Sequence, residues 1–532
     1  FGSIDSLTRA MGDVSFDHQG RRIQGMRMQN TGDVYAVNGW EAMPYDNHSG
    51  IVDIYRNCKG NPSTFTYYTQ PLYVAVSPRT QFVHLPGKVP VDFYIVNEKN
   101  LSGKYRLSVF VCTPDGKEGK HIEKEVHITG GDCFGQLLLE HCQLEIEGVS
   151  GLYQVKAQLR NASGHLCAEG KDEVLGIYWD KKQLKGKGAL YGTPDDPVAT
   201  FYQKATGCEL PAFHSDIEKL DWIVVTRSSL DAPQPVPVEA FCQKEGKSVL
   251  ELSLYKDDDL RTLAGVTQDN KIDRTFADGA QPDPLLPANQ SFSAIWDGKL
   301  KAPQSGTYMI GVTSDQGMRL SVNGQRIVDE WRNNKELTVV RPFLLKAGDE
   351  VAVRVEYSQR NPTGSVQLVW SLPDHAAIAP QELLDRVKED GTSLLLLKSA
   401  ESWMDAVSAY TGSAYHGYYS VGKNWVGGVH FVKEHPLFNG LPVNVAMGWP
   451  YQALVRNGDR RLGLHIDNEE LVAGSYGSAP FNLGSAVGII SCGKGKIYYS
   501  TLDLVDNLNN PAAAADVARK LFCNFILLSK DR

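Results

Sequence analysis

The stretch Asn38-Gly-Trp-Glu-Ala-Met-Pro-Tyr-Asp-Asn-His48 sets an indole, two carboxylates, two amides and an imidazole close together in the chain. Trp40 offers a flat apolar face of the kind that stacks on a sugar ring. Asp46, Asn47 and His48 can hydrogen-bond sugar hydroxyls, or equally cap a helix-like segment over Ser49–Tyr55. Retaining cleavage of a glycoside needs two carboxyls about 5–5.5 Å apart. A folded loop could bring Glu41 and Asp46 to that distance, but their spacing does not require it, and Glu41 is not assigned as a nucleophile. The plain alternative is that Trp40 is a core aromatic and Glu41 a surface charge. The expected substrate-binding set is therefore Trp40, Glu41, Asp46, Asn47 and His48, with no catalytic residue assigned.

Other chemistries find no support in residue spacing. Cys492 lies in Ile490-Ser-Cys-Gly-Lys-Gly495, which leads into a strand and not into the strand-to-helix turn that an activated thiol needs, so it reads as a small buried residue. Gly493-Lys-Gly495 is too short for a phosphate loop, and His416, His430 and His435 lack zinc-binding spacing. Nine cysteines, an odd number with no Cys-x-x-Cys pair, argue against a disulfide scaffold or a structural zinc site. No metal and no cofactor is expected.

A chain of 532 residues, 42% hydrophobic and 22% charged, can build several separate cores. Its net charge of −8 argues against nucleic acid as a partner, and no apolar run is long enough for a membrane helix. The chain begins at Phe1, without the basic end and apolar run of a signal peptide, and reads as the later portion of a longer polypeptide.

The elements that must position these residues fall into blocks. Asp33–Trp40 has a short strand pattern, but residues 1–69 hold too little further strand to bury it. Over 70–182, alternating strands such as Val91–Val96 and Tyr105–Val111, punctuated by Thr113-Pro-Asp-Gly116 and Asn161-Ala-Ser-Gly164, predict an immunoglobulin-like β-sandwich. Strand and helix alternate over 183–240 and again over 374–532, as a parallel α/β sheet would, with a helix from Asp195 to Thr206 and a terminal helix from Asn510 to Leu527. Between them, after the proline-rich Ala232–Pro237, residues 241–373 read as a second, inserted β-sandwich.

Three resemblances refine this reading. Asn38 to Asn57, Lys59-Gly-Asn-Pro62 and Tyr68 to Val76 resemble the end of the catalytic (β/α)8 (TIM) barrel and the start of the following sandwich in glycoside hydrolase family 2. The resemblance covers about residues 1–180 and is most specific in 35–76. It implies a retaining mechanism, a Trp on the eighth barrel strand matched by Trp40, and two catalytic glutamates on earlier barrel strands, upstream of this chain. Phe292 to Gly298, Pro303 to Tyr308, Ser314 to Gly324 and Ile327 to Trp331 resemble the protective-antigen fourteen-kilodalton domain. In sugar-binding members of that family, adjacent acidic residues hold calcium. Here Asp315 is followed by Gln316, one hard anion short, so Asp315 reads as a turn residue and Trp331 as a core aromatic. His435 to Pro442 and Gly493 to Asp503 resemble flavodoxin-like domains of the glutamine-amidotransferase type that are attached to large glycosidases.

The expected fold class is multidomain α+β: a barrel remnant, an immunoglobulin-like β-sandwich, and a flavodoxin-like α/β domain interrupted by a second β-sandwich. The expected function is part of a bacterial glycoside hydrolase acting on oligo- or polysaccharide, with the missing N-terminal catalytic portion of the same protein as partner. The alternative is a non-catalytic carbohydrate-binding or assembly module. A periplasmic or secreted location is expected; homo-oligomerisation is left open.

Overall fold

The computed structural model describes residues 3–30, 41–42, 50–53, 55–193, 195–214, 216–228, 233–244, 247–248, 250–373, 380–421, 429–455, 461–477 and 482–530. They form two compact units, Phe1–Arg227 with Gln381–Arg532, and Ser228–Pro380. Among the described residues strand far outweighs helix, so sheets supply most of the packing surfaces in this β-rich, multidomain chain.

The first unit opens on a helix that the hydrophobic pattern does not announce. Ile4–Met28 starts at Ser3, whose hydroxyl accepts from the Ser6 amide while the Ser6 side chain returns the bond, a capping box. Leu7, Met11, Phe16 and Ile23 are its buried apolar side chains. Two glycines do the rest. A Cβ on Gly12 would sit 1.9 Å from the Lys59 carbonyl oxygen, and one on Gly20 would sit 2.0 Å from the Tyr68 ring. Only at glycine can the following turn and the short helix Ser63–Thr69 come this close. The Ser49–Tyr55 segment is not helical where it is described. Val52–Asp53 is a strand paired in parallel with Glu41–Ala42, and Asp53 accepts from the Tyr55 and Asn57 amides.

The sandwich that follows packs a three-stranded sheet (Leu72–Pro78, Gly87–Asn97, Gly135–Ile146) on a five-stranded one (Phe82–His84, Leu166–Ile177, Gly151–Arg160, Gly103–Cys112, Glu118–Ile128). Alternation produces the core. Val89, Val91, Phe93 and Ile95 face Leu107, Val109, Val155, Ala157 and Leu159, as period-two strands require. The Tyr153 hydroxyl, buried beneath this core, donates to the Glu147 and Val149 carbonyls.

A ten-stranded sheet completes the unit. Gly188–Tyr191, Trp222–Val225, Ser393–Leu396 and Gly495–Ser500 lie side by side in parallel. The first three of these strands are buried throughout, as expected when both faces are covered. The parallel strands are only part of the sheet: Asn482–Cys492 pairs antiparallel with Gly495–Ser500, and Glu470–Gly477, Val429–Val432 and Val445–Ala446 extend the sheet antiparallel beyond it. Pro197–Thr206 begins at Asp196, which caps it, with proline in the first turn. The terminal helix begins later than the sequence suggests, at Asp516, and runs to Leu528 after the turn Ala513–Ala515. Val198, Phe201, Leu521, Phe522 and Phe525 from these two helices share one core with Trp222, Val224 and Tyr498 of the sheet. Val225 and Leu396 are register partners, although the whole of the second unit lies between them in sequence.

The second unit is an antiparallel sandwich. One sheet orders Gln234–Pro235, Gly364–Ser371, Gly306–Ser314 and Leu337–Leu345, with Asp273–Phe276 also on Gly364–Ser371. The other orders Leu263–Asp269, Leu250–Tyr255, Phe292–Lys301, Glu350–Gln359, Gly317–Val322 and Gln325–Glu330. Trp296, Tyr308, Tyr357 and Trp370 fill the space between them with Leu252, Ile310, Leu320, Val353 and Val355. Among the described residues no helix is long and apolar enough to cross a membrane.

Candidate functional site

Of the residues expected to bind substrate, Trp40, Asp46, Asn47 and His48 lie outside the described residues. Glu41 is placed on its two-residue strand beside Val52. The described residues build a candidate site elsewhere, in the second unit.

Four loops leave the ends of Leu250–Tyr255, Gly306–Ser314, Gln325–Glu330 and Glu350–Gln359. They enclose a cleft of about 660 Å³ lined by Asp257, Asp258, Asp259, Arg261, Gln316, Trp331, Arg332, Asn333, Asn334, Arg360 and Asn361. A smaller hollow of about 450 Å³ adjoins it across Arg360 and Asn361, walled by Phe276, Asp278, Asn289 and Pro362 among others.

Each loop is pinned. Asp257 accepts from the amides of Asp259, Arg261 and Thr262 at 3.0, 2.9 and 2.6 Å, which closes a tight turn. Desolvation works against ionisation of this carboxyl, and the amide hydrogen bonds from Arg261, Asp259 and Thr262 outweigh it and hold the group down at about 2. Leu260 takes a left-handed φ of 58° in that turn, and its amide donates to the Ser293 hydroxyl at 3.0 Å. Arg360 ties three loops together: its Nε donates to Asp258 at 2.9 Å, its Nη1 to the Trp331 carbonyl at 2.7 Å, and its amide to Gln316 at 3.3 Å. Asn333 Nδ2 donates to the carbonyls of Ser314, Gln316 and Lys335.

Trp331 stands in the cleft wall and not in the core as the sequence reading had it. The Arg319 guanidinium lies over its ring, 4.3 Å from the centroid, and Arg360 stands 5.9 Å away. Its Nε1 is buried without a hydrogen-bond partner. Arg319 is itself held by Asp329 at 2.8 Å and Glu356 at 3.4 Å. Asp315 is a turn residue, accepting from the Ser365 amide at 2.6 Å and hydroxyl at 3.2 Å.

The donor set does not suit calcium. Asp257 is saturated by amides, Asp258 is paired with Arg360, and Asp259 with Arg261 at 2.6 Å. Among the described residues no group of three or more acidic, His or Cys side chains could hold a metal ion. What the cleft presents instead is guanidinium and amide donors beside an aromatic edge, on fixed backbone: groups suited to hydroxyls and anions. The sequence reading missed Asp257–Asp259, Arg360 and the Arg332–Asn334 run. The local signal was the Asp257-Asp-Asp259 triplet at the end of a strand.

The amidotransferase alternative gains nothing from the geometry. Cys492 is buried on its strand, and burial pushes its thiol upward, with Lys388 pulling it down and Asp385 adding to the rise. That is the reverse of an activated thiolate.

Comparison with known proteins matches residues 246–383 to the PA14 domain family. Among curated proteins, the anti-sigma-I factor RsgI3 of Acetivibrio thermocellus is 29% identical over 117 residues, which cover 22% of this chain and 18% of that protein. Among solved structures, β-glucosidase from Kluyveromyces marxianus in complex with glucose shares 16% identity over 42% of this chain and 29% of that one, at a TM-score of 0.23. The PA14 domain of the MpAFP antifreeze protein shares 13% over 26% of this chain and 89% of that one, at a TM-score of 0.20. The chain contains a PA14 domain over residues 246–383, and the cleft lies within it.

Proposed function

We propose that this chain binds carbohydrate, and that the cleft of the PA14 domain is where it does so. The observation that carries this reading is the convergence of four pinned loops on a cleft of about 660 Å³ lined by guanidinium and amide side chains around Trp331. Such a surface can make many directional hydrogen bonds to hydroxyls without large reordering. The test is a glycan array probed with the full chain. Retention of a defined set of saccharides is expected, lost in Asn334→Trp, which fills the cleft from an exposed position. A blank array, or retention untouched by the substitution, would count against it.

A second reading is favoured by the Asn38–Val76 resemblance: the chain is the later part of a retaining glycoside hydrolase similar to family 2. The helices Ile4–Met28 and Ser63–Thr69, on either side of the Trp40 segment, support a barrel remnant over 1–69. The four adjacent parallel strands that begin at one edge of the ten-stranded sheet support a flavodoxin-like domain split over 183–240 and 374–532 around the insert at 241–373. In this reading Trp40, Glu41, Asp46, Asn47 and His48 shape the sugar site. The two catalytic glutamates belong to another part of the polypeptide, and the whole works in the periplasm or outside the cell. Aryl-glycoside turnover by a longer polypeptide with an intact barrel, and none by residues 1–532, is the expected result. Turnover by residues 1–532 alone would overturn this placement of the glutamates.

A further inference from the structure

Every carboxylate that lines the cleft is already engaged. Asp257 is closed on three backbone amides, Asp258 is held by Arg360 at 2.9 Å, and Asp259 by Arg261 at 2.6 Å. Arg332 is different. It is exposed, it lines the same cleft, and among the described residues it has no carboxylate partner. A ligand entering the cleft therefore meets Asp258 and Asp259 already paired with Arg360 and Arg261, Asp257 turned onto backbone amides, and one guanidinium, that of Arg332, without an ion-pair partner among the described residues.

The backbone that carries Arg332 is fixed on both sides. The preceding carbonyl, that of Trp331, accepts from Arg360 Nη1 at 2.7 Å, and Gly317 packs so closely against it that a Cβ there would come within 2.3 Å. The following residue, Asn333, spends its side-chain amide on three carbonyls. With its backbone held, Arg332 has chiefly its own side chain to order when a ligand binds, which lowers the entropy lost on contact.

We propose that this cleft selects saccharides that carry a carboxylate, the uronic-acid class, through a charge-assisted pair with Arg332, and that it does so without calcium. The inference rests on the carbohydrate-binding reading. A planar guanidinium matches a carboxylate by two parallel hydrogen bonds, and Asn334 and Asn361 on adjoining loops of the cleft are placed to meet hydroxyls. Calcium would have to break the ion pairs of Asp258 and Asp259 to find ligands.

The test is titration calorimetry of the full chain with a uronic-acid oligosaccharide, with its carboxyl-reduced counterpart, with a sulfated neutral oligosaccharide, and with the uronate again in excess chelator. The uronate is expected to bind about tenfold more tightly than the reduced form, the size of one charge-assisted hydrogen-bonded pair. Chelator leaves its affinity unchanged, and the sulfated ligand binds more weakly. Arg332→Gln brings the uronate-to-reduced ratio to about one, and Arg332→Lys restores part of it. An unchanged melting temperature in both variants shows that the fold is kept. Equal binding of uronate and reduced form, a preference for sulfate, or loss of binding in chelator would overturn the inference while leaving carbohydrate binding in place. Binding of none of the saccharides would remove both.

Discussion

Arg21 on the opening helix grips Asp172 of the sandwich by both carboxylate oxygens, Nη1 to Oδ2 at 2.8 Å and Nη2 to Oδ1 at 2.7 Å. Its Nε holds Asp17 at 2.9 Å, and its guanidinium stands 5.9 Å from the Trp449 ring. Burial opposes the charge on Arg21, but Asp172 and Asp17 outweigh it and keep the side chain firmly protonated. One side chain thus pins the helix to the sandwich and touches the α/β region. Arg21→Ala strands a nearly buried carboxylate, so it is expected to cost about 3–5 kcal/mol in urea unfolding. The apolar pair Arg21→Met with Asp172→Leu should cost less than Arg21→Ala alone. A cost near zero for the single change would show that the pair does not hold the helix.

Two glycines of that helix should respond in opposite senses to the same substitution. A Cβ on Gly25 would meet no heavy atom within 4 Å, so Gly25→Ala should stabilise by about 0.5–1 kcal/mol through helix propensity. At Gly12 the added methyl would meet the Lys59 carbonyl at 1.9 Å. There Gly12→Ala should destabilise by about 1–3 kcal/mol despite the same propensity gain. Thermal unfolding of the two variants checks this; the same sign for both would refute the close approach.

Glu469 gives a pH dependence. Burial raises its carboxyl to about 7 from the ordinary 4.5, against a lowering by the Ser485 hydroxyl, and Tyr499 also donates to it. The folded chain therefore holds this proton more tightly than the unfolded chain. The stability it contributes is complete below about pH 4.5 and is lost as the pH rises to about 7. Glu469→Gln, which cannot ionise, should match the parent near pH 4.5 and exceed it above pH 7 by on the order of 3 kcal/mol. Parallel stability curves for the two proteins would contradict this.

All nine cysteines are free thiols, and their environments rank their reactivity. Cys58 and Cys208 are exposed, whereas Cys112, Cys492 and Cys523 are buried, with the Cys523 thiol pushed up to about 12 by burial. A disulfide reagent at neutral pH should modify Cys58 and Cys208 first, and Cys112, Cys492 and Cys523 only on unfolding. Fast labelling of Cys492 would reopen a nucleophilic role for it.

The sequence carried the parts of the fold whose periodicity is clean. Val89 to Ile95 alternate as a half-buried strand does, and Trp222–Val225 and Ser393–Leu396 are short unbroken apolar runs that read as doubly covered strands. The opening helix escaped notice because its packing surface is built in part from Gly12 and Gly20, where close approach replaces bulk, and glycine argues locally against a helix. The antiparallel half of the large sheet, Tyr415–Val421 to Glu470–Gly477, is rich in glycine and tyrosine and is interrupted by loops, so no period stands out. The cleft was illegible for a different reason: Asp258, Gln316, Trp331 and Arg360 come from four loops far apart in sequence, and only the antiparallel pairing of the strands between them brings those loops to one end. In sequence Arg332 is an ordinary surface arginine; what sets it apart is that Asp258 and Asp259 pair with Arg360 and Arg261 instead.

Carbohydrate bound in the PA14 cleft should be visible in hydrogen–deuterium exchange of the full chain with and without an oligosaccharide it retains. Slowed exchange confined to 257–262, 331–335 and 360–364 is the predicted result. Slowed exchange elsewhere, with those three loops unchanged, would contradict it.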